Sequence, residues 1–245
     1  MRIGIAGCGL IGGSLALALR DDHEVRAYDP AGTGDIRSVA RLADLLPADV
    51  VIVATPLAQV VPTLATLAER SGDALLLDVG SLKRDVAAFA DTAPATCHIV
   101  GGHPMAGTAE RGYGAARHDL FRGRPFFLVP TARSGDRSMT IAGDIARAAG
   151  AVPTVVSAAE HDRIVAILSG LPLAVALALA RTGAEVSQFA GPGFRDATRL
   201  AGTPPELAAA LLRGNAVEVR AAIARFRTAL DVVERELDAT ARGTG

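Results

Sequence analysis

Along the first two thirds of the chain, hydrophobic residues gather in short β-rich runs separated by segments of helical pattern. Arg2–Ala6, Glu24–Tyr28, Val50–Ala54, Ala74–Val79, His98–Val100 and Phe126–Val129 read as strands, and their alternation with helical segments predicts a mostly parallel sheet with crossover helices. Between Asp29 and Asp49 there is little room for a full crossover. Ala31–Gly34 is loop-like and only Ile36–Leu46 can be helical, so this connection is predicted to be abbreviated. Ser138–Ala149 reads as a further helix and Pro153–Val156 as a last short strand. These elements define an expected α/β domain over residues 1–156.

From residue 157 to 245 the pattern is helical alone, predicting an all-helical second domain. Glu160 and Asp162 suit the first turn of a helix, where acids complement the dipole. The apolar run that follows, Ile164–Ala180, is hydrophobic on every face, as in a buried helix, and Pro172 is expected to kink or divide it. It is shorter than the ~20 residues that span a bilayer. Thr203 is expected to cap a helix opening at Pro204–Pro205, and Asn215 to cap the last one. In that last helix Val219, Ile223, Phe226, Leu230, Val233 and Leu237 recur at alternating spacings of four and three. Such a seam, on so short a helical tail, predicts a homodimer.

Composition narrows the function classes. Of 245 residues 50% are hydrophobic, ample for a core, and the net charge of −1 with interspersed signs argues against nucleic acid or a membrane surface as the partner. Small metabolites remain. The two cysteines, Cys8 and Cys97, lack metal-ligand spacing and read as reduced, in a cytoplasmic setting. The sequence enters a strand at once, which leaves no room for a signal peptide.

The candidate chemistry begins at the first strand. Ile3–Ser14 places Gly7, Gly9 and Gly12 in G-x-G-x-x-G spacing between a strand and a helix start. The glycines allow a tight turn, close approach of the backbone to a pyrophosphate, and close packing of helix on strand. The N–H groups of the first helical turn, with Leu10 and Ile11, then face an anion. Asp29 ends the second strand, at the distance where an acid grips the adenosine ribose. No cation follows it, so NAD is favoured over NADP. Thr55 and Pro56, after the third strand, are assigned to the same cofactor.

Three more clusters are Asp78–Lys83, Gly101–Thr108 (G-G-H-P-M-A-G-T) and Gly191–Arg199 (G-P-G-F-R-D-A-T-R). With the glycine loop they resemble the prephenate and arogenate dehydrogenases, over nearly the whole chain from Ile3 to about Leu212. The resemblance implies hydride transfer to a nicotinamide cofactor coupled to decarboxylation of a cyclohexadienol in tyrosine biosynthesis. It also implies a Rossmann domain, a helical dimerising domain and an active site in the cleft between them. His103 is then the base at the substrate hydroxyl, since an imidazole titrates near working pH. Ser81 orients it, Lys83 belongs to the same turn on the cofactor side, Arg199 clamps a carboxylate, and Thr108 contacts substrate. Arg195 is a further substrate candidate that can instead pair with Asp196. His161 resembles a family H-D pair, with local helix-end hydrogen bonding as the other reading.

Where the family commonly has S-H-L-P, this chain has Ser169–Gly170–Leu171–Pro172. Gly170 in place of histidine is expected to leave room for a different side chain on the substrate, as a relative acting on an amino-substituted prephenate would need, or for a residue from elsewhere. Ala109, where some prephenate-using relatives have an acid, leans toward arogenate. A β-hydroxyacid or imine reductase would want a helical-domain lysine, and none occurs from Ser157 on. A non-catalytic NAD-binding sensor is the remaining alternative.

Overall fold

The computed structural model of the chain describes residues 1–107 and 110–242. Packing divides the chain into two compact units, Met1–His161 and Asp162–Gly245. The division falls within a helix, slightly beyond the expected boundary.

The first unit is built on a seven-stranded sheet of order β2-β1-β3-β4-β5-β6-β7. The strands are β1 (Arg2–Ala6), β2 (Glu24–Tyr28), β3 (Val50–Val53), β4 (Leu75–Asp78), β5 (His98–Pro104), β6 (Pro125–Pro130) and β7 (Val152–Val155). Every neighbouring pair is parallel except β5 and β6. The central strands, Val-Val-Ile-Val in β3 and Leu-Leu-Leu-Asp in β4, are buried throughout, as a sheet covered on both faces requires. Helices α1 (Leu10–Leu19) and α4 (Asp136–Ala148) cover one face through Leu15, Leu19, Ile145 and Ala146. Helices α2 (Leu57–Ala68) and α3 (Arg84–Thr92) cover the other through Leu64, Leu67, Val86 and Ala90.

The connection from β2 to β3 is abbreviated, and the helix allowed at Ile36–Leu46 shrinks to a single 3-10 turn, Leu42–Leu45. Residues 37–39 are instead held extended beside β2: the Ala27 N–H donates to Arg37 O and the Val39 N–H to Ala27 O, each at 2.9 Å. Leu45, fully buried, then closes the sheet where a helix would otherwise lie.

Helix α5 (Ala158–Val165) starts at Ser157, whose Oγ accepts the Glu160 N–H at 3.2 Å, and it passes from the first unit into the second. A π turn at Ala166–Gly170 follows, and then α6 (Leu171–Thr182). Pro172 sits in the first turn of α6, where its missing N–H costs nothing, so the divide falls just before it. The helical stretch Ala158–Thr182 is nonetheless continuous over 25 residues, longer than the apolar run alone, and by length and composition it is long and apolar enough to cross a membrane.

The second unit continues with α7 (Pro192–Thr198), α8 (Pro205–Gly214) and α9 (Ala216–Arg242). Two expected caps are not made. Pro204 occupies the N-cap of α8 without a side-chain bond, while the Thr203 N–H closes the preceding turn on Leu200 O. Asn215 is buried and donates its Nδ2 to Asp162 O at 2.7 Å, so its side chain ties the start of α9 to α5.

Candidate active site

At the end of β1, Gly7 adopts φ +89°, and its neighbours leave no space for a side chain: a Cβ there would lie 2.6 Å from Ala54 O. At Gly12 a Cβ would lie 1.9 Å from Gly7 O, so only glycine lets α1 pack this closely on the turn. A Cβ at Gly9, by contrast, would meet nothing within 4 Å, which leaves the approach to the helix N-terminus open. Leu10 and Ile11 open α1 behind it, with no acidic residue in the first turn to oppose an anion. Asp29 stands at the rim. Its Oδ2 accepts the Cys8 N–H at 2.7 Å and its Oδ1 the Ala31 N–H at 2.8 Å, so the carboxylate is fixed beside the loop with lone pairs to spare. Thr55 Oγ1 is buried with no hydrogen-bond partner among the described residues, and Pro56 beside it caps α2. An orphaned hydroxyl, an open glycine and a fixed carboxylate around one helix N-terminus fit a dinucleotide.

The next turn, after β4, is arranged differently from expectation. Lys83 is fully buried, and its ammonium faces inward to Asp78 rather than outward to a cofactor. Space for it comes from β5: a Cβ on Gly101 would lie 2.9 Å from Lys83 Cδ. Asp78 also accepts the Gly80 N–H at 2.7 Å. Burial pushes the Asp78 carboxyl up, against the opposing pull of the Lys83 ammonium and the Gly80 N–H. Lys83 is therefore a buried charge close to the site, paired with Asp78.

Strand β5 runs past the end of β4. Asp78 pairs with Gly101, so His103 lies beyond the last β4 residue, at the carboxyl edge where open α/β sheets take their ligands, and pairs with Phe127 of the antiparallel β6. Its Nδ1 lies 2.9 Å from Nε2 of His161, and the two rings meet edge-on with centroids 5.1 Å apart. Phe127 packs edge-on against His161 from the sheet, with centroids 5.5 Å apart. Burial first, then the Lys83 ammonium and the neighbouring His161, hold the His103 imidazole well below the usual 6.5, which favours its neutral, proton-accepting form. Ser81 is partly exposed in its turn, and among the described residues it makes no hydrogen bond to His103; His161 occupies that place. Thr108 and Ala109 lie outside the described residues.

In the second unit Arg195 closes α7 and Arg199 opens the 3-10 turn that follows, both exposed. Among the described residues Arg195 does not pair with Asp196, so both guanidinium groups of the motif remain available to an anion. Gly170 is buried, and a Cβ there would lie 2.7 Å from Val219 Cγ2. Of the two expected uses of this space, a residue from elsewhere takes it on this side: Val219 of α9.

His161 is the site residue that pattern alone underweighted. Its signal was its place in a His-Asp pair at a helix start, both members of which are buried.

Comparison with known proteins agrees with this geometry. The family model for the prephenate dehydrogenase nucleotide-binding domain matches residues 14–155, and that for the prephenate dehydrogenase dimerization domain matches residues 157–243. The chain is 33% identical over 227 residues to a prephenate dehydrogenase of Bacillus subtilis, covering 83% of this chain and 61% of that protein. It therefore spans less than two thirds of that relative's length. Among solved structures it is similar to Synechocystis arogenate dehydrogenase, with a TM-score of 0.84, 29% identity, and coverage of 98% and 93% of the two chains. It is also similar to the Aquifex aeolicus prephenate dehydrogenase solved with hydroxyphenyl propionate and NAD+, with a TM-score of 0.89, 26% identity, and coverage of 99% and 92%. A Rossmann-type sheet with His103 at its ligand edge, followed by a helical unit, and matched by both family models in chain order, places this chain in the prephenate dehydrogenase family.

Proposed function

We propose that the chain catalyses the NAD-dependent oxidative decarboxylation of a cyclohexadienol, prephenate or arogenate, with His103 as the base. The observation that carries this reading is a neutral imidazole beyond the end of β4, on the same sheet edge as a dinucleotide cradle. NAD supplies the hydride acceptor at the ring carbon that bears the hydroxyl. His103 takes the hydroxyl proton as the carbon–oxygen bond becomes a carbonyl. The ring carboxylate then leaves as carbon dioxide, the electrons of its bond make the ring aromatic, and the resulting phenolate recovers the proton from His103. Asp29, with no cation beside it in sequence, would hold the ribose hydroxyls and repel a 2′-phosphate. Arg199, with Arg195 near it in sequence, would hold the substrate carboxylates as planar, bidentate donors.

Support for a homodimer comes from the dimerization-domain match and from the seam on α9. Val219 is buried within the unit, whereas Leu230, Val233 and Leu237 are 49%, 51% and 68% exposed. Both cysteines are free and buried, in keeping with a reducing, cytoplasmic setting.

The test is NADH formation with prephenate and with arogenate at matched concentrations. Turnover of either supports the reaction, and the ratio sets the side-chain preference; silence with both, while NAD still binds, refutes the reading. His103→Asn should lower kcat by about 10²–10⁴-fold and leave the Kd for NAD unchanged, while equal loss of both would remove His103 from the chemistry.

A further inference from the structure

His103 can act as a base only if the nitrogen facing substrate is bare. A neutral imidazole carries one N–H, and the contact between His103 Nδ1 and His161 Nε2, 2.9 Å long, needs one proton between them. Two arrangements satisfy it. If His161 donates, His103 carries its proton on Nε2 and presents an N–H to the substrate hydroxyl, which leaves it unable to receive a proton there. If His103 donates from Nδ1, its Nε2 is bare and can receive one. Free histidine prefers the Nε2–H form, so the productive tautomer has to be imposed.

We propose that His161 is the positioning residue that imposes it, accepting the His103 Nδ1–H on its own Nε2 and keeping His103 Nε2 open for the substrate proton. This rests on His103 being the base. When His103 becomes an imidazolium, the same bond turns charge-assisted and strengthens, so His161 also shares the charge as it forms. The geometry equips it for this role. His161 is fully buried, its backbone N–H is bonded to Ser157 O at 2.9 Å in the first turn of α5, and its ring is held edge-on by Phe127. Three elements thus converge on one nitrogen: β5 brings His103, β6 brings Phe127, and α5 brings His161. The charged group facing His103 is Lys83, paired with Asp78, and the titratable group beside it is His161, which the proposed bond requires as the neutral acceptor. Neither Lys83 nor Asp78 forms a bond to its ring among the described residues, which leaves the tautomer to His161.

Two variants separate the role from mere packing. In His161→Gln the side-chain amide can place an oxygen where Nε2 now sits and accept the same proton; in His161→Leu nothing can. Nitrogen-15 NMR of the histidine rings in the intact protein reports which His103 nitrogen is protonated, with no substrate required. The expected result is an Nδ1–H His103 in the wild type and in His161→Gln, with a shift toward Nε2–H in His161→Leu. With the substrate that turns over, His161→Leu should lose roughly 10–100-fold in kcat with an unchanged Kd for NAD, and His161→Gln should recover most of it. An Nε2–H His103 in the wild type, or a His161→Gln as impaired as His161→Leu at equal Tm, would overturn the proposal. If the wild type turns over neither dienol but shows the Nδ1–H form, the reaction assignment fails while the tautomer assignment stands.

Discussion

Asp78, Lys83 and His103 gather at the sheet edge: an ion pair closed off from water, and near it an imidazole whose neutral form is favoured by burial and by the Lys83 ammonium. Removing one ion alone strands the other. Lys83→Met should therefore cost about 3–5 kcal/mol in chemical denaturation, and adding Asp78→Leu should return much of that loss. The same variant removes one of the charges that depresses His103, so the acid limb of kcat/KM should move up toward 6.5 from its wild-type position below it. Stability follows a matching rule. As pH falls below 6.5 the unfolded chain protonates this histidine and the folded chain resists, so its contribution is full above 6.5 and declines below, down to the folded pKa. Among individual residues, those whose role is steric were the most legible in sequence. Gly7 and Gly12 are glycines because Ala54 O and Gly7 O occupy the space of a Cβ, and the spacing of the motif encodes that. The burial of Lys83 was not legible, because its motif position says nothing about whether the ammonium points in or out. That direction depends on Gly101, a strand away.

At the scale of elements, the turn between β1 and α1 shows how little slack the cofactor cradle has. Gly12→Ala would force α1 away from Gly7 O, and with it the open N–H groups of the first turn. The Kd for NAD should rise at least tenfold while far-ultraviolet circular dichroism stays close to wild type, and an unaltered Kd would show that the helix can shift without harm. Strand positions were readable because continuous apolar runs of four or five residues suit a covered parallel sheet. The helix ends were less readable, since Thr203 closes a local turn on Leu200 O instead of capping α8 and Asn215 is drawn to a longer-range partner. Asn215 gives up capping to reach Asp162 O, and Val219, one turn on, fills the space beside Gly170. Neither contact has any signature in local periodicity.

For the whole molecule, self-association and the margins of the sheet are two sides of one question. The seam on α9 divides into a packed beginning and an exposed end, and Leu230→Glu with Val233→Glu should convert the proposed dimer into a monomer in light scattering, with the first unit still folded. The sheet is guarded differently, through its backbone. On the outer side of β2 the segment 37–39 already takes both hydrogen bonds of Ala27. On the far side, Val152 and Val156 turn their N–H groups inward to β6, so Pro153 between Val152 and Thr154 sits where the N–H would face out, and it has none to offer. The stretch that replaces a crossover helix thus acts as a guard rail. Together with Pro153, which takes one donor from the other margin, it leaves an incoming strand an interrupted ladder, which disfavours edge-to-edge aggregation.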